Sequence, residues 1–227
     1  MPGEWNNSKF VEDYAESAAN ADINWYEYSV NLPSLLSLLP QERIRVLDFG
    51  CGSGDITSDL ATRYDIEGCD ASPEMIKSAQ TGNKGVEFFV WDGVSPFPRT
   101  AEPYDAVISK LTVHFVEDLG VMAKALKDVI KEDGLVIFSV PHPISTIPKY
   151  SGDYWTQGKY STEIGRYGLF IEMIHRSLQD YIKPFIDSGF VLTGLTEPKI
   201  TADQAEQHNL TAEYVAIPRR LNLRFQK

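Results

Sequence analysis

The stretch "RVLDFGCGSGDIT", residues 45–57, decides how the rest of the chain is read. Its first half is a short apolar run bounded by glycine, which suits a strand buried on both faces of a parallel sheet. Glycines follow at alternate positions, Gly50, Gly52 and Gly54, and residues 55–62 then suit a helix. Strand, glycine turn and helix N-terminus together make a cradle. Small residues let the backbone approach a ligand closely, and the first helical N–H groups are unpaired.

Two kinds of ligand compete for such a loop. A dinucleotide fingerprint, Gly-x-Gly-x-x-Gly, needs its third glycine at position 55, where the chain has Asp55. What stands instead is Asp48 two residues ahead of the first glycine, and an acid there would crowd a pyrophosphate with negative charge. It suits a ligand carrying an ammonium and a sulfonium. Asp70, at the end of the next apolar run, is placed to accept hydrogen bonds from ribose hydroxyls. A dinucleotide would use that acid equally well, but not the loop.

Outward from this stretch, strands alternate with helical segments. "YDIEGCD" (64–70), "VEFFVWD" (86–92), "YDAVISK" (104–110) and "LVIFSV" (135–140) read as further strands. "SPEMIKSAQ" (72–80) opens a helix with Ser72 as cap and Pro73 at the first helical position, and Asp118 caps another that places Leu119, Met122, Leu126 and Val129 on one face. Such alternation predicts a parallel sheet with right-handed crossovers. Residues 141–175 show no clear period and carry Tyr150, Tyr154, Trp155, Tyr160, Tyr167 and Phe170, so they read as a lid or binding segment. Ser177 caps a last helix, Pro184 kinks it and Gly189 stops it. "FVLTGL" (190–195) and "RLNLRFQ" (220–226) end the chain as an antiparallel edge. The first 40 residues are helical in pieces, punctuated by Pro33 and Pro40.

The chain has 227 residues, a formal net charge of −11 and 43% hydrophobic residues, which fits one large globular unit. No apolar stretch approaches the ~20 residues that span a bilayer, and the first ten lack a signal-peptide pattern. The two cysteines, Cys51 and Cys69, have no metal-type spacing, so no metal is expected and a reducing, cytoplasmic setting is. The negative charge disfavours nucleic acid as a partner. The locally basic end "PRRLNLRFQK" (218–227) reads as a solvated edge.

"VLDFGCGSG" (46–54), "GCDASPEMIKSA" (68–79), "VWDG" (90–93), "PYDAVISKLTVHFVEDL" (103–119) and "LKDVIKEDGLVIFSV" (126–140) together resemble the ordered motifs of the class I S-adenosylmethionine-dependent methyltransferases. "SVPHPI" (139–144), "IHRSLQDYIKPFIDSGF" (174–190) and "LTEP" (195–198) more loosely resemble the bacterial subset of that family with small-molecule substrates. Ser177 and "KEDG" (131–134) stand where that subset often has proline and "KPGG". The resemblance implies an α/β fold: a Rossmann-like, seven-stranded, mostly parallel sheet flanked by helices, with an antiparallel C-terminal edge and a cap inserted after the fifth strand. It implies one methyltransferase domain over 1–227, with an N-terminal helical lid (1–40), a cofactor-binding core (41–140), a substrate cap (141–175) and a final helix with antiparallel strands (176–227).

S-adenosyl-L-methionine is then the expected cofactor. Gly50 and Gly52 would approach its methionine moiety, with Asp48 orienting it. Asp70, with Ala71, would serve the ribose and Asp92, with Gly93, the adenine amino group. Met75 would pack on the adenine face or simply on its own helix face. Ser109 and Lys110 would line the methionine end with backbone groups, and Tyr14 would belong to a lid helix or to the core.

Methyl transfer from a sulfonium is an in-line displacement, so a catalytic residue is needed only where the acceptor must lose a proton. A histidine is the natural base. His114 lies just past the fourth strand, where a structural hydrogen-bonding role competes with a catalytic one. His142 sits at the tip of the fifth strand between Pro141 and Pro143. His175 and Arg176 would bind an acid group or phenolate, or tie the cap to the core, while His208 lies in a polar loop and is read as uninvolved. The balanced charge of 141–183 and its aromatics, Tyr154, Trp155 and Tyr167 among them, suggest a flat or partly apolar acceptor, with a carboxylate or phenol as one option. The expectation is methyl transfer to a small molecule by a monomer or homodimer without membrane or nucleic-acid partner, O-methylation ahead of N- and C-methylation. The alternatives are methylation of a modified tRNA base or other macromolecule, a non-catalytic cofactor-binding regulator and, more distantly, a nucleotide-dependent oxidoreductase.

Overall fold

Arg45–Phe49 forms β1, the strand expected from the glycine stretch. It is followed in chain order by β2 (Asp65–Asp70), β3 (Glu87–Val90), β4 (Tyr104–Lys110), β5 (Ile130–Pro141), β6 (Gly158–Ile164), β7 (Leu169–His175), β8 (Val191–Thr196) and β9 (Arg220–Gln226). The computed structural model describes residues 3–18, 24–98, 102–147, 149–150, 152–164 and 169–227. Seven strands make one sheet in the order β3-β2-β1-β4-β5-β9-β8. β1 to β5 pair in parallel, whereas β9 runs antiparallel to both β5 and β8. The chain builds outward from β1 to β3, then returns to lay β4 on the other side of β1. That reversal leaves a crevice at the carboxyl ends of β1 and β4, where ligands of open α/β sheets bind.

The helices are α1 (Ser8–Ala18), α2 (Leu32–Leu36), α3 (Asp55–Leu60), α4 (Pro73–Gly82), α5 (Leu119–Val129), α6 (Pro143–Thr146), α7 (Leu178–Asp187), α8 (Ala202–Gln207) and α9 (Glu213–Ala216). Both faces of the sheet are covered, which is why its strands read as near-continuous apolar runs. On one face Met122 and Leu126 of α5 and Tyr181 and Phe185 of α7 bury Val107, Phe138 and Phe225. On the other, Leu35, Leu38, Leu39 and Leu60 pack on Val46, Ile66, Ile108 and Ile137. The caps form as expected. Ser72 Oγ accepts from Met75 N–H at 3.1 Å, Asp118 Oδ1 accepts from Gly120 and Val121 N–H at 2.9 Å, and Ser177 forms a capping box with Asp180. Each is worth about 1 kcal/mol.

The segment after β5 is more regular than its sequence promised. It contains α6 and the antiparallel hairpin β6–β7, in which Tyr160 lies opposite Met173 and Thr162 opposite Ile171. These four side chains are buried, while Lys159, Ser161, Phe170 and Glu172 are exposed on the outer face. The inner face rests on Trp5, Met75 and Phe115 and so roofs the crevice. The alternation is two residues long on each strand, too short to stand out from the aromatic background. α7 runs through Pro184 to Asp187. No described helix is long and apolar enough to cross a membrane.

Candidate cofactor and acceptor site

The crevice holds a cavity of about 450 Å³, within the range of ~300–1,000 Å³ usual for small-molecule sites. One half is floored by Gly50, Gly52, Asp70 and Met75 and covered by Trp5 and Tyr14. The other lies beyond Lys110, Leu111, Thr112 and His114, and its walls come from Glu27, Lys149, His208, Arg219 and Arg220.

The glycine loop is shaped by steric need. Gly50 has φ 78°, and a Cβ there would lie 2.0 Å from Thr112 Oγ1. Gly52, at φ 55°, would point a Cβ into the cavity, where it meets only Met75 Sδ at 4.0 Å. Asp70 Oδ2 accepts from Gly52 N–H at 3.1 Å and Oδ1 from Ser72 N–H at 2.9 Å, so the carboxylate is fixed across the mouth of the loop. Burial still pushes its pKa above the ordinary value. Asp48 sits beneath the loop, 5% exposed, and accepts from Thr57 Oγ1 at 2.7 Å. Burial lifts its pKa to about 6, against the Thr57 hydrogen bond and with help from Asp70.

These residues fit S-adenosylmethionine. Two buried acids whose charges are poorly solvated favour a cationic ligand. A ribose would find carboxylate lone pairs on Asp70, and the cavity wall holds two buried nitrogens without partners, Trp5 Nε1 and His114 Nδ1. Such orphaned groups are costly unless a ligand or water meets them. Tyr14, in edge contact with Trp5 at 4.9 Å, has its pKa pushed up to about 12 by burial and stays a neutral phenol. Among the described residues no group of three or more His, Cys, Asp or Glu side chains is placed to hold a metal.

Of the residues expected from sequence, Tyr14, Gly50, Gly52, Asp70, Met75, Lys110 and His114 line the cavity. Ala71 and Gly93 lie outside its lining, as does Ser109, whose hydroxyl is buried in β4 without a partner. Asp92 is turned away from the cavity and exposed. Its Oδ1 accepts from Val94 N–H, Ser95 N–H and Ser95 Oγ, closing its own turn.

Two of the three candidate bases, His142 and His175, lie outside the cavity lining with their ring nitrogens bonded elsewhere. His142 Nδ1 accepts from Ile144 N–H at 3.2 Å, so Nε2 carries the proton it shares with Glu197 at 2.8 Å. No lone pair is left to act as a base. Burial holds His142 below its ordinary pKa despite Glu197. His175 is fully buried, stacked on Tyr150 at 4.7 Å, with Nδ1 on Thr146 Oγ1 at 2.7 Å and Nε2 donating to the Tyr154 carbonyl at 3.1 Å.

The substrate-side candidates move as well. Arg176 is 2% exposed and spends its guanidinium on the carbonyls of His114, Val116 and Glu117, tying the loop after β4 to the cap. Tyr154 Oη accepts from Leu178 N–H at 3.0 Å, and Trp155 is 76% exposed on the outer surface. Tyr167 lies outside the described residues.

Of the three candidate bases, His114 is the one that lines the cavity. Burial, then the nearby Arg220 and Arg176, hold its pKa well below the ordinary value. Its imidazole is therefore neutral. Sequence reasoning missed Trp5, the two arginines of "PRR" and His208. His208 stacks on Trp25 at 3.7 Å and lines the cavity. A solvated C-terminal edge was the expectation for Arg219 and Arg220. They turn inward because β9 is an interior strand of the sheet, between β5 and β8.

Residues 46–134 match a family model described as "Methyltransferase domain". The trans-aconitate 2-methyltransferase of Streptomyces avermitilis is 32% identical over 45% of this chain and 41% of its own length. The malonyl-[acyl-carrier protein] O-methyltransferase of Acetivibrio thermocellus is 34% identical over 48% of this chain and 39% of its own length. The chain thus matches about two fifths of the length of these two enzymes. The crystal structure of an S-adenosylmethionine-dependent methyltransferase from Mesorhizobium loti superimposes with a TM-score of 0.73 at 23% identity, covering 86% of this chain and 96% of that one. Strand order, glycine loop and family match agree: residues 46–134 match the methyltransferase-domain family, in a fold shared with solved S-adenosylmethionine-dependent methyltransferases.

Proposed function

We propose that this chain transfers a methyl group from S-adenosylmethionine to a small-molecule acceptor, and to oxygen in preference to nitrogen or carbon. The observation that carries the reading is that His114, with its unpartnered Nδ1, shares one cavity with Gly52 and Asp70. S-adenosylmethionine, when bound, supplies a methyl group already activated on a sulfonium. The residues of the chain bind and align. The backbone at Gly50 and Gly52 and the carboxylate of Asp70 hold the donor side. Trp5, Tyr14, Phe115, Ile171 and Met173 exclude water from above. His114 receives or donates a hydrogen bond at the acceptor without becoming charged.

A cavity of about 450 Å³ and a net charge of −11 support a small acceptor over a nucleic acid. The name of one curated relative, the malonyl-[acyl-carrier protein] O-methyltransferase, supports oxygen as the methylated atom. In this reading residues 1–40 act as lid, 41–140 as cofactor core and 141–175 as acceptor cap of one domain, in a monomer or homodimer. Its free thiols, Cys51 and Cys69, suit a reducing cytoplasm. Calorimetric titration with S-adenosylhomocysteine tests the reading, with binding in the micromolar range expected. No detectable binding would overturn it.

A further inference from the structure

The acceptor half of the cavity carries a charge that the rest of the chain does not. Lys110, Lys149, Arg219 and Arg220 line it in a protein of net charge −11. Against these four cations stand three carboxylates, Glu27, Glu163 and Glu213. Glu27 pairs with both Lys110, at 3.7 Å, and Arg220. Glu213 pairs with Arg219 at 2.9 Å, and Tyr214 carries the Arg219 guanidinium on its ring face at 4.3 Å. Both arginines are thereby held in place rather than free to swing. Lys149, at the rim, has no ion-pair partner among the described residues. Arg220 Nε is buried and donates to nothing. A pre-ordered arginine pair with an unspent donor, beside an unpaired lysine, is how proteins recognise planar oxyanions.

The same wall bears on the chemistry. Arg220 and Arg176 flank the buried His114, so placing a proton on that imidazole would add a third positive charge in a poorly solvated spot. An acceptor that must surrender a proton is badly served here. One that arrives already ionised is well served.

Building on the methyl-transfer reading, we propose that the acceptor is a carboxylate anchored by Lys149, Arg219 and Arg220, and that the product is its methyl ester. A carboxylate oxygen forms the new bond to the methyl carbon, while the methyl–sulfur bond breaks and leaves its electron pair on sulfur. The negative charge of the acceptor and the positive charge of the sulfonium disappear together, and no proton moves.

The test uses the full chain saturated with S-adenosylhomocysteine, titrated calorimetrically with C3–C6 mono- and dicarboxylates, their neutral amides and inorganic phosphate. Carboxylates should bind at least about tenfold more tightly than amides or phosphate. The Lys149→Gln/Arg219→Gln variant, checked for an unchanged unfolding transition, should lose at least about tenfold of that affinity while binding S-adenosylhomocysteine within about threefold of the parent. The single Lys149→Gln variant, at an exposed position, repeats the test if the double variant unfolds. Methylated product should release methanol in mild alkali. Equal binding of amides, preference for phosphate, an unaffected variant or an alkali-stable product would each overturn the carboxylate assignment. If the parent binds no S-adenosylhomocysteine, the methyl-transfer reading fails and this inference with it.

Discussion

Thr57 donates a hydrogen bond of 2.7 Å to Asp48 directly beneath the glycine loop, joining the first turn of α3 to the end of β1. The bond holds a carboxylate in a place where burial makes its charge expensive. Asp48 has a pKa near 6 against an ordinary 3.8, so in the ligand-free protein it opposes folding above about pH 6, and that penalty vanishes as the pH falls toward 4. Asp48→Asn keeps an acceptor for Thr57 and removes the charge. Without ligand it should be more stable than the parent at pH 8 by roughly 1–3 kcal/mol, the gain shrinking toward pH 4. Denaturant unfolding at the two pH values checks this, and a variant less stable at pH 8 would refute it.

Proton uptake at the same carboxylate competes with a cationic ligand. Affinity for S-adenosylhomocysteine, which carries an ammonium, should be flat above about pH 7 and fall by up to about tenfold per pH unit below pH 6. Asp48→Asn should bind weakly throughout and flatten the profile. Calorimetry from pH 5 to 8 reads both curves.

The loop leaves no room at its first glycine. Gly50→Ala would place a methyl group inside Thr112 and force a left-handed residue, φ 78°. A loss of roughly 2–4 kcal/mol in stability is expected, with S-adenosylhomocysteine binding lost as well. Thermal unfolding beside a binding titration decides it, and near-parental behaviour would show that the loop relaxes.

Two histidines should part company on substitution. His142→Ala removes the cap of α6 and the bond to Glu197, so it should lower stability by about 1–2 kcal/mol and leave turnover per folded molecule close to the parent's. His114→Ala should do the reverse at the site, keeping S-adenosylhomocysteine affinity within a few-fold while turnover drops by about tenfold or more. If His142→Ala instead abolishes turnover in a stable protein, the assignments of the two residues are exchanged.

The parallel core was readable because its signals are local. The glycine loop, the caps Ser72 and Asp118 and the apolar runs each depend on neighbours within a few residues, and the structure has them where the pattern put them. The antiparallel edge was readable for the same reason. Of the cavity lining, the residues expected from sequence fall mostly on the side of the glycine loop. Asp70 and Gly52 are defined by one turn, whereas the opposite walls bring together residues 27, 149, 208 and 220, which no short window can associate. His142 and His175 looked reactive because histidine is reactive. Their ring nitrogens are spent on Ile144, Glu197, Thr146 and Tyr154, partners that only the folded chain supplies. Arg219 and Arg220 failed in the opposite direction, since basic residues near a terminus resemble surface until the strand that follows them is found inside the sheet.

Glu27 bridges Lys110 at the tip of β4 and Arg220 at the start of β9, so one carboxylate from the N-terminal segment joins the two ends of the acceptor wall. The two sides of the cavity thereby come from different stretches of polypeptide, meeting at Lys110. Substitutions at residues 27, 149, 219 and 220 would therefore reshape one side of the cavity while Asp70 keeps its own hydrogen bonds to Gly52 and Ser72.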